Sequence, residues 1–361
     1  MKYHLPKLWL LVACWLPFLA TAQETTVYTE AYKAFKQGET AFEKGLYGKA
    51  QKQYQTALEL LRPTNEGESA LLQQKAELGF AKSAVRIGQP EGEKLMLDFI
   101  REYSPDPISN QALIELANYY YDLKKYDKAL EYFAMVPTRS LTKDQRSEVR
   151  FKMGYAYFVR KDFAKAKSNF SEIKSVENEY FYPTNYYYGL CEFFLGNYDQ
   201  AVQTFRVVEK SKRYQKHVPY YIAQIYFAEG DYDDLIAYAE PKLNDNNILK
   251  REELNQLVGQ AYFEQGNYER ALPYLEYYAE RSGTLREEEF YQLGFAQYKV
   301  GAYSKAVKSF QPVGEVNSEL GQYAMYYSGD AYLKLNNTKA AHTAFGKARK
   351  LPYDAFITEE S

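Results

Sequence analysis

The sequence predicts an all-α solenoid of stacked helix pairs, and three observations carry that prediction. One phrase recurs with its small and aromatic residues kept and its charges varied: "FFLGNYDQAVQTF" from Phe193, "AYFEQGNYERALPYL" from Ala261 and "YKVGAYSKAVKSF" from Tyr298. The recurrence keeps step. A small residue followed four later by an aromatic or a substitute falls at Ala50/Tyr54, Ala129/Phe133, Ala166/Phe170 and Ala201/Phe205, then at Leu235/Ala239, Ala271/Leu275, Ala306/Phe310 and Ala341/Phe345. From Ala129 onward the steps are 37, 35, 34, 36, 35 and 35 residues. Finally, a second small residue stands twelve positions before each of these: Gly38, Ala117, Gly154, Gly189, Ala223, Gly259, Gly294 and Gly329. A fixed period of this length is the mark of units that bury their apolar faces only by stacking on one another.

Within a unit the elements follow in order. Tyrosine stands three after the first small residue at Gly154–Tyr157, Gly259–Tyr262 and Gly329–Tyr332, and spacings of three and four share one helix face. A breaker follows at Gly45, Gly196, Gly230, Gly266 or Gly301, suited to the left-handed residue that ends a helix. Asp162, Asn197, Asp231, Asn267 and Asn337 are then placed to cap the next helix. Pro63, Pro105 and Pro352 mark the ends of second helices. The two small residues belong to different helices and let their backbones approach. Units are expected near 31–64, 72–107, 110–143, 147–180, 182–215, 216–249, 252–285, 287–320 and 322–355. The second has kept only Gly79 of the phrase, and the sixth swaps large and small at Leu235 and Ala239, so packing at those two points is in question.

This pattern resembles the tetratricopeptide repeat, most closely in "QLVGQAYFEQGNYERALPYL" (Gln256–Leu275), "KMGYAYFVRKDFAKAKSNF" (Lys152–Phe170) and "YYGLCEFFLGNYDQAVQTF" (Tyr187–Phe205). The resemblance spans Ala31 to about Tyr353. It implies a right-handed α-α superhelix of about nine pairs that binds a partner segment in a concave groove lined by first helices. Residues three before, one after and four after each first-helix small residue would face that groove. The candidates are Phe151, Tyr155, Tyr186, Leu190, Tyr220, Gln224, Gln256, Gln260, Tyr291, Phe295, Tyr326 and Asp330. Phe158, Phe193, Phe227, Phe263 and Tyr298 share the register but read first as packing residues. Gly38, Ala50, Ala117, Ala129, Gly154, Ala166, Gly189, Ala201, Gly259, Ala271, Gly294, Ala306, Gly329 and Ala341 are expected to do the repeat packing. Some members of the family grip a terminal carboxylate with lysines and asparagines. Asn118 alone falls at a plausible place, and no such clamp is expected.

Composition narrows the function. Hydrophobic residues make up 46% of the 361 and charged residues 25%, as in a folded protein. The formal net charge is −2 with no basic block, which argues against a nucleic-acid partner. Tyrosine is in excess, 38 against two tryptophans, which suits packing and also a groove that holds peptide, or a sugar ring, by stacking and hydrogen bonds. Catalytic signatures are missing. His217 and His342 lie in different units and read as surface residues, and Cys191 reads as a small core residue. Glu287 to Glu289 read as a solvated helix start. No cofactor, metal or catalytic residue is expected, and the chain reads as a non-enzymatic scaffold.

At the start, Lys2 and Lys7 precede an apolar run, Leu8 to Ala20, and "ATA" ends at Ala22, the pattern of a signal peptide over 1–22 with 23–30 as a short lead-in. "LVAC" at Leu11–Cys14 offers a lipid-attachment alternative, against which the residues after Cys14 stay apolar. No later stretch is apolar enough to span a bilayer. Export implies a periplasmic or outer-membrane-associated protein whose partners are protein or peptide segments of envelope machinery. A glycan-binding protein, or the front part of a longer array, are the alternatives. At the other end, residues 356–361 read as a tail or the start of a further unit. They are too short to cap the last pair, whose edge would then meet another subunit or more of the same chain.

Overall fold

The computed structural model describes residues 9–61 and 67–361, with side chains from residue 26. The expected leader at 1–22, with Cys14, and Pro63 fall wholly or in their side chains outside the described residues. Nineteen α-helices, two short 3-10 turns and no strand are found among the described residues, so the protein is all-α as predicted. Two compact units divide it, Met1–Tyr180 and Phe181–Ser361. The first holds α1 (Trp9–Glu43), α2 (Tyr47–Leu61), α3 (Glu68–Ile87), α4 (Gly92–Tyr103), α5 (Pro107–Asp122), α6 (Tyr126–Met135), α7 (Lys143–Val159) and α8 (Phe163–Ser171). The second holds α9 (Phe181–Phe194), α10 (Tyr198–Val208), α11 (Pro219–Glu229), α12 (Tyr232–Ala239), α13 (Arg251–Glu264), α14 (Tyr268–Arg281), α15 (Glu287–Lys299), α16 (Tyr303–Gly314), α17 (Glu319–Lys334), α18 (Thr338–Ala348) and α19 (Ala355–Glu360). Odd helices pack on the even helix that follows. They also lie on the next odd one: α1 on α3, α3 on α5 and α5 on α7 in the first unit, α11 on α13, α13 on α15 and α15 on α17 in the second.

The joint inside a pair is a close contact between a glycine and a large side chain sixteen residues on. A methyl group at Gly154 would lie 2.6 Å from Phe170, one at Gly189 2.7 Å from Phe205, and one at Gly294 2.8 Å from Phe310. Gly259 stands in the same relation to Leu275 and Gly329 to Phe345. Phe170, Phe205 and Phe310 are fully buried there. Tyr54 serves two glycines at once, Gly38 of its own pair and Gly79 of the next. The second unit of the sequence pattern, which has lost the phrase, makes its close approach elsewhere: a methyl at Gly92 would sit 2.8 Å from the backbone of Ala84. In the sixth, Leu235 and Ala239 are both fully buried. The bulk has moved one turn earlier, and Pro241, which has no N–H to donate, stops α12 after eight residues in favour of a 3-10 turn, Glu240–Asn244.

Between the helices of a pair stands one left-handed residue. Gly266 (φ 72°) fills it between α13 and α14, as the breaker pattern predicts. Three pairs use side-chain residues in that conformation instead: Lys124 (φ 58°), Lys161 (φ 60°) and Asn336 (φ 59°). Of the expected caps, Asp162, Asn267 and Asn337 accept from the backbone N–H three residues on. Asn197 and Asp231 make no such bond. Asn197 instead donates its amide to Glu192 (2.7 Å).

A short further helix, α19, packs on α17 at the end of the last pair. α19 seats Ile357 in a buried cluster with Met325 and Ala348. The fully buried Gln322 of α17 donates to the carbonyls of Ala348, Leu351 and Asp354 and accepts from the Asp354 N–H at 2.6 Å.

Two substitutions test this account by thermal melting. Gly294→Val, whose side chain meets Phe310, should cost roughly 1–3 kcal/mol. Lys161→Gly, which relieves a strained left-handed residue at no loss of contact, should add about 1 kcal/mol.

Candidate functional site

Of the twelve groove candidates, Leu190 is buried at 4% exposure and therefore packs inward; the other eleven are half-buried. In the first unit the Tyr155 ring lies 6.0 Å from Tyr121, 6.3 Å from Tyr126 and 6.4 Å from Phe151. Phe151 also meets Tyr180 at 5.2 Å. In the second unit Phe295 is the hub of a cluster, with Phe263, Tyr268, Tyr291 and Tyr327 at 4.9–5.8 Å. Tyr326 rests on Phe345. The rings therefore hold one another while part of each residue stays exposed. A surface already packed in this way loses little side-chain freedom when a ligand lands on it.

The polar candidates are tied up between helices. Gln256 donates to Glu289 (2.5 Å) and Gln260 to Gln292 (3.0 Å), joining α13 to α15. Gln224 donates to the Tyr220 hydroxyl (2.8 Å), over whose ring Lys250 stands at 4.3 Å. Asp330 accepts from the Tyr298 hydroxyl (2.6 Å), joining α15 to α17. Burial raises the pKa of Tyr186, Tyr220 and Tyr291, and neighbouring tyrosines or carboxylates add to it, so all three phenols are neutral donors at physiological pH.

Three readings of single residues change. His217 is half-buried, its ring 5.7 Å from Tyr186 and 5.9 Å from Tyr214. Burial, then Lys216 and Arg213, lower its pKa, so it is neutral at pH 7. Glu289 is no solvated helix start: at 6% exposure it accepts from the Arg286 backbone N–H (2.9 Å), the Arg286 guanidinium and Gln256. Asn118 does have a lysine beside it, because Lys152 donates to it at 2.8 Å. Glu148 accepts from both, so the protein's own carboxylate fills that place. His342 is exposed and Cys191 fully buried, as read from the sequence. Among the described residues no cluster of His, Cys, Asp and Glu is arranged to hold a metal ion, and no helix is long and apolar enough to cross a membrane.

Sequence reasoning missed two features. One is a concavity of about 910 Å³ in the first unit, lined by Tyr28, Tyr32 and Phe35 of α1, Leu71 and Lys75 of α3, and Ile108 of α5. The groove register applied to Gly38 points to Phe35 and Glu39, which both line it. The other is a carboxylate knot between successive pairs. Glu93 accepts from the Tyr120 hydroxyl (2.6 Å), the Tyr132 hydroxyl and Lys128 (2.6 Å). Glu240 accepts from Tyr262 (2.9 Å), Tyr274 (2.5 Å) and Arg270 (2.9 Å). Both sets follow one spacing, tyrosine, cation eight later, tyrosine four after that, and this was the signal available in the sequence.

Residues 184–211 and 252–280 each match a family model described as Tetratricopeptide repeat. The fold has solved counterparts. The C-terminal part of a TPR repeat-containing protein from Cytophaga hutchinsonii superposes with a TM-score of 0.50 at 15% identity, over 67% of this chain and 97% of that one. A tetratricopeptide repeat protein from Parabacteroides merdae gives 0.41 at 18% identity, over 74% and 99%. No curated protein matches the chain. The chain therefore carries tetratricopeptide repeats at these two stretches, within an all-α repeat fold.

The knots have a pH signature. Burial works to raise the Glu93 pKa, but the bonds from Lys128, Tyr120 and Tyr132 outweigh it and hold the group down at about 2. Such a carboxylate contributes stability that is full above its unfolded pKa of about 4.3 and is lost as pH falls through the folded value. Glu93→Gln should therefore lower the melting temperature at pH 7 and leave it nearly unchanged at pH 2, which melting curves across pH 2–7 measure.

Proposed function

We propose that this protein is a non-enzymatic scaffold that holds peptide segments of partner proteins against the odd-numbered helices of each unit. The observation that carries the reading is the concavity of the first unit. There Tyr32 and Leu71, 45% and 52% exposed, stand over the half-buried Tyr28 and the buried Phe35 and Leu72. Exposed large apolar groups rimmed by Lys36, Lys75, Glu39 and Glu68 have the make-up of a protein-docking surface, an apolar centre inside a polar rim. In the second unit the half-buried Tyr186, Tyr220, Tyr291 and Phe295, with their prepacked rings, extend the same chemistry. Tyrosine supplies a rigid apolar body and one hydrogen-bonding tip, which suits an extended peptide.

The leader pattern at 1–22 supports reading this scaffold as an exported protein of the periplasm or outer membrane that works among envelope machinery. Mass spectrometry of the N-terminus from fractionated cells separates the outcomes: a chain starting at Gln23 supports export by signal cleavage, a lipidated Cys14 supports an anchored form, and an intact Met1 sinks both.

The groove reading is tested by crosslinking in cells. Wild-type bait should capture defined partners, and Tyr32→Ala/Leu71→Ser, with helicity unchanged, should lose them at least tenfold. Unchanged capture by the double variant rules out the first unit's concavity. Binding of free oligosaccharide by the wild type, with no protein captured, would favour a glycan ligand for the same tyrosines.

A further inference from the structure

We infer that a cleft between α16 and α18 receives a tyrosine side chain presented by a partner protein, at a place separate from the odd-helix groove. Between successive pairs of the second unit, one slot is filled by three residues at a fixed spacing. Where the 3-10 turn after α12 meets the α13/α14 pair they are Tyr262, Arg270 and Tyr274, gathered on Glu240. Where α14 meets α16 they are Gln297, Lys305 and Ser309. Lys305 and Gln297 reach Glu276 at 2.8 and 3.3 Å, and Ser309 donates to Gln297 at 2.8 Å. Where α16 meets α18 the same positions are Tyr332, Ala340 and Ala344. The cation and the second tyrosine have both become alanine, and a cleft of about 530 Å³ is left.

The cleft's chemistry selects its occupant. Met325, Ser328 and Ala344, all buried, line it. The Ser328 hydroxyl, on a residue only 2% exposed, has no hydrogen-bond partner, and a buried polar group in that state is costly. The anchoring acid is also gone. Glu240 and Glu276 each stand five after the second-helix position of the repeat, and Gln311 holds that place here. The nearby Glu315 is already paired with Lys347 (2.7 Å). A cation would therefore find no open carboxylate. A phenol would find the Met325 thioether and Ala344 for its ring and the Ser328 hydroxyl and Gln311 amide for its oxygen, in a cleft rimmed by Asn337, Lys339, Thr343 and Lys347. In effect a partner's tyrosine would take the position that Tyr274 occupies two pairs earlier.

The test uses the full chain with 13C at the methyls of its five methionines, titrated with p-cresol, the analogue of a tyrosine side chain, and in parallel with toluene. The resonance of Met325, identified by its loss in Met325→Leu, should move on addition of p-cresol while the other methionines stay. Toluene should need about fivefold more for the same shift, the worth of one buried hydrogen bond. Ser328→Ala should erase that preference, and Ala344→Tyr, which plugs the slot from within, should abolish the shift. Should Ala344→Tyr fail to fold, Ala340→Arg plugs the same cleft and is read the same way. A Met325 signal that p-cresol does not move, a shift that survives the plug, or a preference kept in Ser328→Ala overturns the inference.

Discussion

Everything in this protein depends on the contact of a first-helix glycine with a large side chain sixteen residues later. Six pairs make it, from Gly38 with Tyr54 to Gly329 with Phe345. It sets how near two helix backbones come, and so where the other faces of both helices point. Interiors packed to this density cannot absorb an extra methyl without moving something. Because a pair cannot bury its apolar face alone, the constraint repeats along the chain and forces the sequence to repeat with it. Where the contact is lost, the structure replaces it locally. Gly92 against the Ala84 backbone and Leu235 in place of an aromatic are two such replacements.

A second layer of interactions is polar and joins one pair to the next. Glu93 and Glu240 are each held by two phenols and a cation, and Gln256, Gln260 and Tyr298 bridge successive odd helices. These bonds account for part of the tyrosine excess that composition alone cannot explain. They also show why a half-buried polar residue at a groove position is not by that fact a ligand-binding residue. Gln256 and Asp330 already have partners inside the chain. The aromatic candidates differ, since a ring can pack by one face and still offer its edge.

Both surfaces proposed for binding arise from the same rule applied with different residues. On α1 and α3 two large apolar side chains, Tyr32 and Leu71, stay exposed beside a concavity. The even helices close the gaps between pairs with long side chains, and at α16 and α18 two alanines leave one such gap open. A repeat protein can thus gain a site by truncating a residue whose neighbours in other repeats show what used to fill it.

The sequence by itself determined the helix pairs, their period and the small-to-large complementarity, because these rest on spacings within about one repeat. The turn glycines and three of the five expected caps were legible for the same reason. Lys124 and Lys161 were not, since lysine has no local preference for the left-handed conformation, whereas Asn336 belongs to a residue type that adopts it more readily. The role of Glu289, the occupied state beside Asn118 and the seating of Ile357 were also beyond reach. Each depends on a residue from another helix, Gln256, Lys152 with Glu148, and Met325 respectively. Only tertiary structure brings those together, because a hydrogen bond or a filled cavity is settled by which side chains meet in space, and the repeat constrains the small and large positions while leaving those partners free to vary.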